Sequence, residues 1–109
     1  MDVTVVFNSQ AIENAARDIA NLLRTVANER RLLILCRLVE LGEATVNSLA
    51  DSVGLSQSAL SQHLAKMRDE GLVTYRRESQ TSWYRIADPR IEKLLATLHE
   101  LYCKPIKPR

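Results

Sequence analysis

The sequence predicts a mainly α-helical chain carrying one small β-hairpin, and three observations predict it. Apolar residues recur every three or four positions over most of the 109 residues, the mark of helices with one buried side. That rhythm breaks over Leu72–Ala87, where β-branched and aromatic residues flank a two-residue gap, Ser79-Gln80. Gly42, Gly54 and Gly71, the three glycines of the chain, each stand just past the end of an apolar-periodic run, where helices stop.

The elements follow in order. A first helix, α1, runs from Asn8 or Ser9 to Val26 on the stripe Ile12, Ala15, Ala16, Ile19, Leu22, Leu23 and Val26. Asn28 caps α2, Glu29–Leu41, which is apolar through its middle, stops at Gly42 and is the expected core helix. Thr45 caps a short α3 ending at Val53, whose buried side is Val46, Leu49, Ala50 and Val53. The turn Val53-Gly54-Leu55-Ser56 leads into α4, capped by Ser56 and closed before Gly71. Leu72–Glu78 and Thr81–Ala87 form the two strands β1 and β2. A last helix, α5, has Asp88 as cap and Pro89 at its first position, carries Ile91, Leu94, Leu95, Leu98, Leu101 and Tyr102, and stops before Pro105.

The informative element is α4. Leu55, Ala59, Leu60, Leu64 and Met67 make its apolar side, and Gln57, Ser58, Ser61, Gln62 and Lys66 fall opposite. A solvated face with no further task fills with Glu and Lys. Here it holds short hydrogen-bonding side chains of the kind that reach base edges in the major groove. Two helices joined by a short Gly-containing turn and followed by a hairpin make a winged helix-turn-helix, in the order α1-α2-α3-α4-β1-β2-α5. Gln57, Ser58, Ser61 and Gln62 are the candidates for base edges. Ser56, His63, Lys66, Arg76 and Arg77 are the candidates for phosphates, with packing or a base contact as the alternatives for His63. A solvated surface helix remains the plain alternative for α4, and a charged hairpin tip is also an ordinary solubility device.

Composition bounds the rest. Residues 1–109 are expected to form a single domain with flexible ends at 1–8 and 104–109. The 15 Lys and Arg against 13 Asp and Glu leave a net charge of +2, too small to argue for nucleic acid by itself. Met1-Asp-Val-Thr-Val-Val-Phe7 is acidic where a signal peptide needs positive charge, and no apolar run approaches membrane-spanning length. A soluble, cytoplasmic protein with no membrane partner is the expectation. There Cys36 and Cys103 are either buried thiols or redox or metal chemistry, rather than a permanent staple. No nucleophile, base and orienting group converge in the sequence, and no glycine is left for a phosphate-cradling loop, so no catalytic residue and no cofactor are expected. The stripes of α1 and α5 call for a partner, and a twofold homodimer through both helices sets two reading helices roughly 34 Å apart on an inverted-repeat operator. Packing of both helices on their own domain is the alternative.

Ala27-Asn-Glu-Arg-Arg-Leu-Leu-Ile-Leu-Cys36, Gly54-Leu-Ser-Gln-Ser-Ala-Leu-Ser-Gln-His-Leu64, Arg68-Asp-Glu-Gly-Leu-Val73 and Trp83-Tyr84 together give the chain its resemblance to the ArsR/SmtB family of bacterial repressors. The resemblance covers nearly the whole sequence. It implies a dimeric winged helix-turn-helix that binds double-stranded operator DNA and releases it when an inducer or oxidant changes the dimer. The family's metal sites do not carry over. The third helix lacks the Cys-x-Cys pair, and in the C-terminal pattern Asp88 matches while Arg90, Leu101 and Lys104 replace the other ligands. No metal is expected, and His99 reads as an ordinary helix residue. Cys36 and Cys103 instead resemble the two thiols of the persulfide- and oxidant-sensing branch typified by BigR, SqrR and HlyU. That resemblance implies a disulfide or polysulfide bridge, formed by reactive sulfur species or an oxidant, that abolishes operator binding. From the residues alone an inert core thiol stands equally open for Cys36, among its apolar neighbours. A DNA-binding regulator without thiol sensing and a protein-interaction winged helix are the two other functional readings.

Overall fold

The computed structural model describes residues 7–103. Of the ends predicted to be flexible, 1–8 and 104–109, residues 1–6 and 104–109 lie outside the described residues, and Asn8 caps α1. Seven elements stand in the predicted order: α1 Ser9–Val26, α2 Glu29–Leu41, α3 Val46–Val53, α4 Gln57–Asp69, β1 Val73–Glu78, β2 Thr81–Ile86 and α5 Pro89–Tyr102. The hairpin strands are each one residue shorter than the sequence suggested. Leu72 is instead buried with its N–H on the Met67 carbonyl, finishing α4, and Ala87 returns its N–H to Leu72.

Local chemistry sets the helix starts. The side chains of Asn8, Asn28, Thr45, Ser56 and Asp88 accept the N–H groups of Ala11, Arg31, Ser48, Ala59 and Arg90, each satisfying a donor that the first turn leaves free. Between α3 and α4 the chain turns on Gly54, at φ +70° and ψ 35°, and Leu55 donates to the Ala50 carbonyl 3.1 Å away. That left-handed conformation costs an L-residue roughly 1–2 kcal/mol.

The core is aliphatic. Ile34, Leu35 and Leu38 of α2 are fully buried and meet Leu49 of α3, Leu60, Leu64 and Met67 of α4, Val73 of β1, and Ile91 and Leu95 of α5. The hairpin pairs Val73 with Ile86 through Glu78 with Thr81, and Ala44 pairs with Tyr84 by two backbone hydrogen bonds of 3.0 and 2.8 Å. The segment between α2 and α3 thus lies as a third rung against the wing. A polar clasp reaches between helices: Arg31 holds Glu70 with Nη1 and Nη2, at 2.7 and 2.9 Å.

The terminal helices divide their stripes. On α1 only Val26 is buried, while Ile12, Ile19 and Leu23 stay 46%, 39% and 49% exposed. The stripe of α5 does two jobs: Ile91 and Leu95 enter the chain's own core, and Leu101 and Tyr102 are 71% and 83% exposed. Among the described residues no helix is long and apolar enough to cross a membrane.

Replacing Gly54 tests the turn. A Cβ built there meets nothing within 4 Å, so any loss comes from the backbone rather than from crowding. Gly54→Ala should lower the unfolding free energy by about 1 kcal/mol and Gly54→Asn by less, because Asn tolerates the left-handed region. Chemical denaturation of both variants checks this, and equal losses would remove the backbone as the cause.

Candidate nucleic-acid interface

The outer face of α4 is bare. Gln57, Ser58, Ser61, Gln62 and Lys66 are all exposed, and Leu60, Leu64 and Met67 anchor the opposite side in the core. The five candidates therefore form one continuous strip of amide, hydroxyl and ammonium groups on a helix held by its back. Ala65, which sequence reasoning passed over because it carries no polar group, is exposed in the middle of the strip. Small side chains at 58, 61 and 65 keep the helix surface low between the flanking glutamines. His63 is set apart, half-buried at the edge of the apolar side. Ser56 is occupied at its own helix: its Oγ accepts the Ala59 N–H at 3.1 Å and lies 3.4 Å from Ser58 Oγ.

The pleat separates the two wing arginines. Successive strand residues point to opposite faces, so Val73, Tyr75 and Arg77 share one face with the partners Ile86, Tyr84 and Ser82. Arg76 takes the other face, opposite Trp83, with its guanidinium 5.7 Å from the indole centre. There it is paired: Nε and Nη2 of Arg76 donate to the Glu43 carboxylate at 3.0 and 2.9 Å, and Glu78 lies 3.8 Å away. Hydrogen bonding to Arg76, helped by its charge and that of Arg85, holds the Glu43 carboxyl below the usual carboxylate range. Glu43 and Arg76 lie 33 positions apart in sequence, and no local pattern announces the pair. Arg77 is exposed on the face shared with Tyr75, whose ring stacks at 5.1 Å on Tyr84 and carries Arg68 of α4 at 5.1 Å. Arg68 thus joins the basic groups where α4 meets the wing.

The two thiols lie away from this strip, on α2 and at the C-cap of α5. Both are free and exposed, which corrects the core-thiol expectation for Cys36: its neighbours in sequence are apolar, but it occupies the side of α2 opposite Leu38. Partial burial, and then the charge of Cys103, push the Cys36 thiol up, against the smaller opposite pull of Arg37. Cys103 closes α5 by donating its N–H to the His99 carbonyl at 2.8 Å. Among the described residues no three His, Cys, Asp or Glu side chains gather as a metal site.

This geometry has close counterparts. Residues 28–75, from the cap of α2 into the first strand of the wing, match the family described as bacterial regulatory protein, arsR family. The transcriptional activator HlyU of Vibrio cholerae is 44% identical over 97 residues, 89% of either chain. A structure of reduced HlyU from Vibrio cholerae N16961 superposes with a TM-score of 0.78 at 44% identity, covering 87% of this chain and 99% of that one. The crystal structure of the transcriptional repressor BigR from Xylella fastidiosa gives a TM-score of 0.81 at 33% identity, over 91% of this chain and all of that one. With its helices, turn and wing matched over nearly their full length, the chain belongs to the arsR family of bacterial regulatory proteins.

Proposed function

We propose that this regulator is a repressor that binds an inverted-repeat operator in double-stranded DNA as a homodimer and lets go when Cys36 and Cys103 are oxidised or bridged by reactive sulfur species. The bare polar strip of α4 carries the DNA part of the reading. Gln57, Ser58, Ser61 and Gln62 read base edges in the major groove. Lys66 and Arg77 hold phosphates, with Ser56 and His63 at the groove's edge. Arg76 reaches a phosphate only by exchanging the Glu43 carboxylate for it, so its share of the binding is smaller than that of Arg77. The chain acts in the cytoplasm as one regulatory domain.

The exposed faces of α1 and α5 support the dimer. Ile12, Ile19 and Leu23 fall on one side of α1, and leaving them in water forfeits about 25 cal/mol for each Å2 that a twofold partner would cover.

Two observations support the thiol switch: both sulfurs are accessible, and Cys36 lies within reach of the charge of Cys103. One similar structure is of HlyU in a form named reduced. Joining the two thiols directly releases two protons and two electrons to the oxidant. With a persulfide, its sulfane sulfur enters the bridge and the remainder leaves as thiol, while a second persulfide takes the two electrons and two protons and is reduced to thiol and hydrogen sulfide. Either bridge ties α2 to α5 and shifts the dimer away from groove spacing. The raised Cys36 thiol favours the competing reading, a regulator of the same family without thiol sensing, because the reactive form is the thiolate.

Operator binding by reduced protein, before and after an organic persulfide with intact mass recorded, decides between them. Release together with a bridged mass supports sensing; unchanged binding by a bridged protein overturns it. Gln57→Ala or Gln62→Ala should cost about 1–3 kcal/mol on operator and little on random DNA. By contrast, Arg77→Ala should weaken all sequences alike and lower the salt slope by about 1, with a smaller change for Arg76→Ala. Binding titrations at several salt concentrations separate the two patterns.

Ile19→Glu should give a folded monomer that has lost operator affinity, since Ile19 is outside the chain's own core; sedimentation showing an intact dimer would refute the interface. The negative charge of Cys103 opposes ionisation of Cys36, so Cys103→Ser lets the Cys36 pKa fall and speeds its alkylation at a mildly alkaline fixed pH. Equal alkylation rates in the two proteins would show the thiols to be independent.

A further inference from the structure

Three helices with different tasks meet on one guanidinium. Arg31, in the first turn of α2, donates Nη1 to the Thr25 carbonyl of α1 at 3.0 Å. The same nitrogen and Nη2 grip the Glu70 carboxylate at 2.7 and 2.9 Å, at the residue that caps the C-terminus of α4. Glu70 is itself fastened to the reading helix, because its N–H donates to the Lys66 carbonyl at 3.1 Å. The side chains are 13% and 32% exposed, so the pair is shielded enough to hold one geometry.

The backbone of α4 packs mainly on α3 and β1, and α1 joins the core through Leu22 and Val26 near its C-terminal end. The last turn of α1 leaves the Thr25 carbonyl without a helical partner, and Arg31 supplies one. A two-pronged guanidinium–carboxylate contact fixes direction as well as distance, which a single ammonium contact does not. Any displacement of the C-terminal turn of α1 is therefore felt at Arg31, and through it at Glu70.

We infer that Arg31 and Glu70 are positioning residues for DNA readout, setting the angle of α4 against α1 and α2 so that the state of the terminal helix reaches the reading face. The inference rests on the operator-binding reading of α4. It assigns no DNA contact to either residue.

The test uses full-length protein and a duplex that the wild type selects from a random-sequence library. Affinity for that duplex is compared with affinity for scrambled DNA in the wild type, Glu70→Gln, Arg31→Lys and the double variant, with thermal unfolding and salt slope measured alongside. Each single variant should lose about tenfold in the ratio of selected to scrambled affinity, as from one misplaced base contact, with the salt slope unchanged. The double variant should lose no more than either single one, because both break the same clasp. A ratio that stays at the wild-type value while the melting temperature falls makes the clasp plain stabilisation and overturns the inference. A double variant whose ratio falls by the product of the single losses overturns it too. Failure of the wild type to select any duplex is a distinct result, which overturns the operator-binding reading and takes this inference with it.

Discussion

Everything that α4 presents outward rests on the buried side of α2. Ile34, Leu35 and Leu38 have no exposed surface, and α3, α5 and β2 all pack on the helix that carries them. Burial of each such side chain contributes roughly 1.5–3 kcal/mol, so this short run outweighs any single polar contact on the surface. With no aromatic residue among the buried ones, the core is shaped by branched aliphatic side chains and Met67. A groove-reading helix needs such a base: its outer face is polar and gains nothing from burial, so its orientation has to be set entirely from behind.

The wing is held with similar economy. A two-stranded hairpin is marginal in water by itself. Here the Ala44–Tyr84 rung joins it to the segment after α2, the Tyr75 and Tyr84 rings stack on one face, and the Glu43–Arg76 pair braces the other. Of the two arginines near the tip, Arg76 secures the hairpin to the body and Arg77 is left exposed. The turn between the strands is also unusual in placing Ser79 at φ +57°, a conformation that Gly, Asn or Asp more often supplies.

Much of the fold was legible because its instructions are local. A capping side chain and the N–H it accepts are two or three residues apart, and the Gly54 turn is written in four consecutive positions. The outer face of α4 could be read for the same reason, as helical spacing alone separates Gln57 and Ser61 from Leu60 and Leu64. What the sequence concealed is tertiary. Arg31 and Glu70 are 39 positions apart, and nothing in either neighbourhood announces the other. Periodicity gave α5 a single stripe but not its division between Leu95, only 1% exposed in the chain's own core, and Leu101 beyond it. It likewise gave Cys36 apolar neighbours without saying on which side of the helix the sulfur falls.

These hidden contacts share one element. The first turn of α2 carries Arg31, which holds α1 and α4; the middle buries the core; and the opposite side carries Cys36, which feels the charge of Cys103 at the end of α5. A rigid helix of 13 residues is about 20 Å long, so a force applied at one part of it is carried to the rest with little loss. A bridge at Cys36 would pull on the helix that fixes both the core and the clasp. The resistance of the core favours a small rotation of α2 as a body over local unfolding, and a rotation moves Arg31 together with the carboxylate it holds.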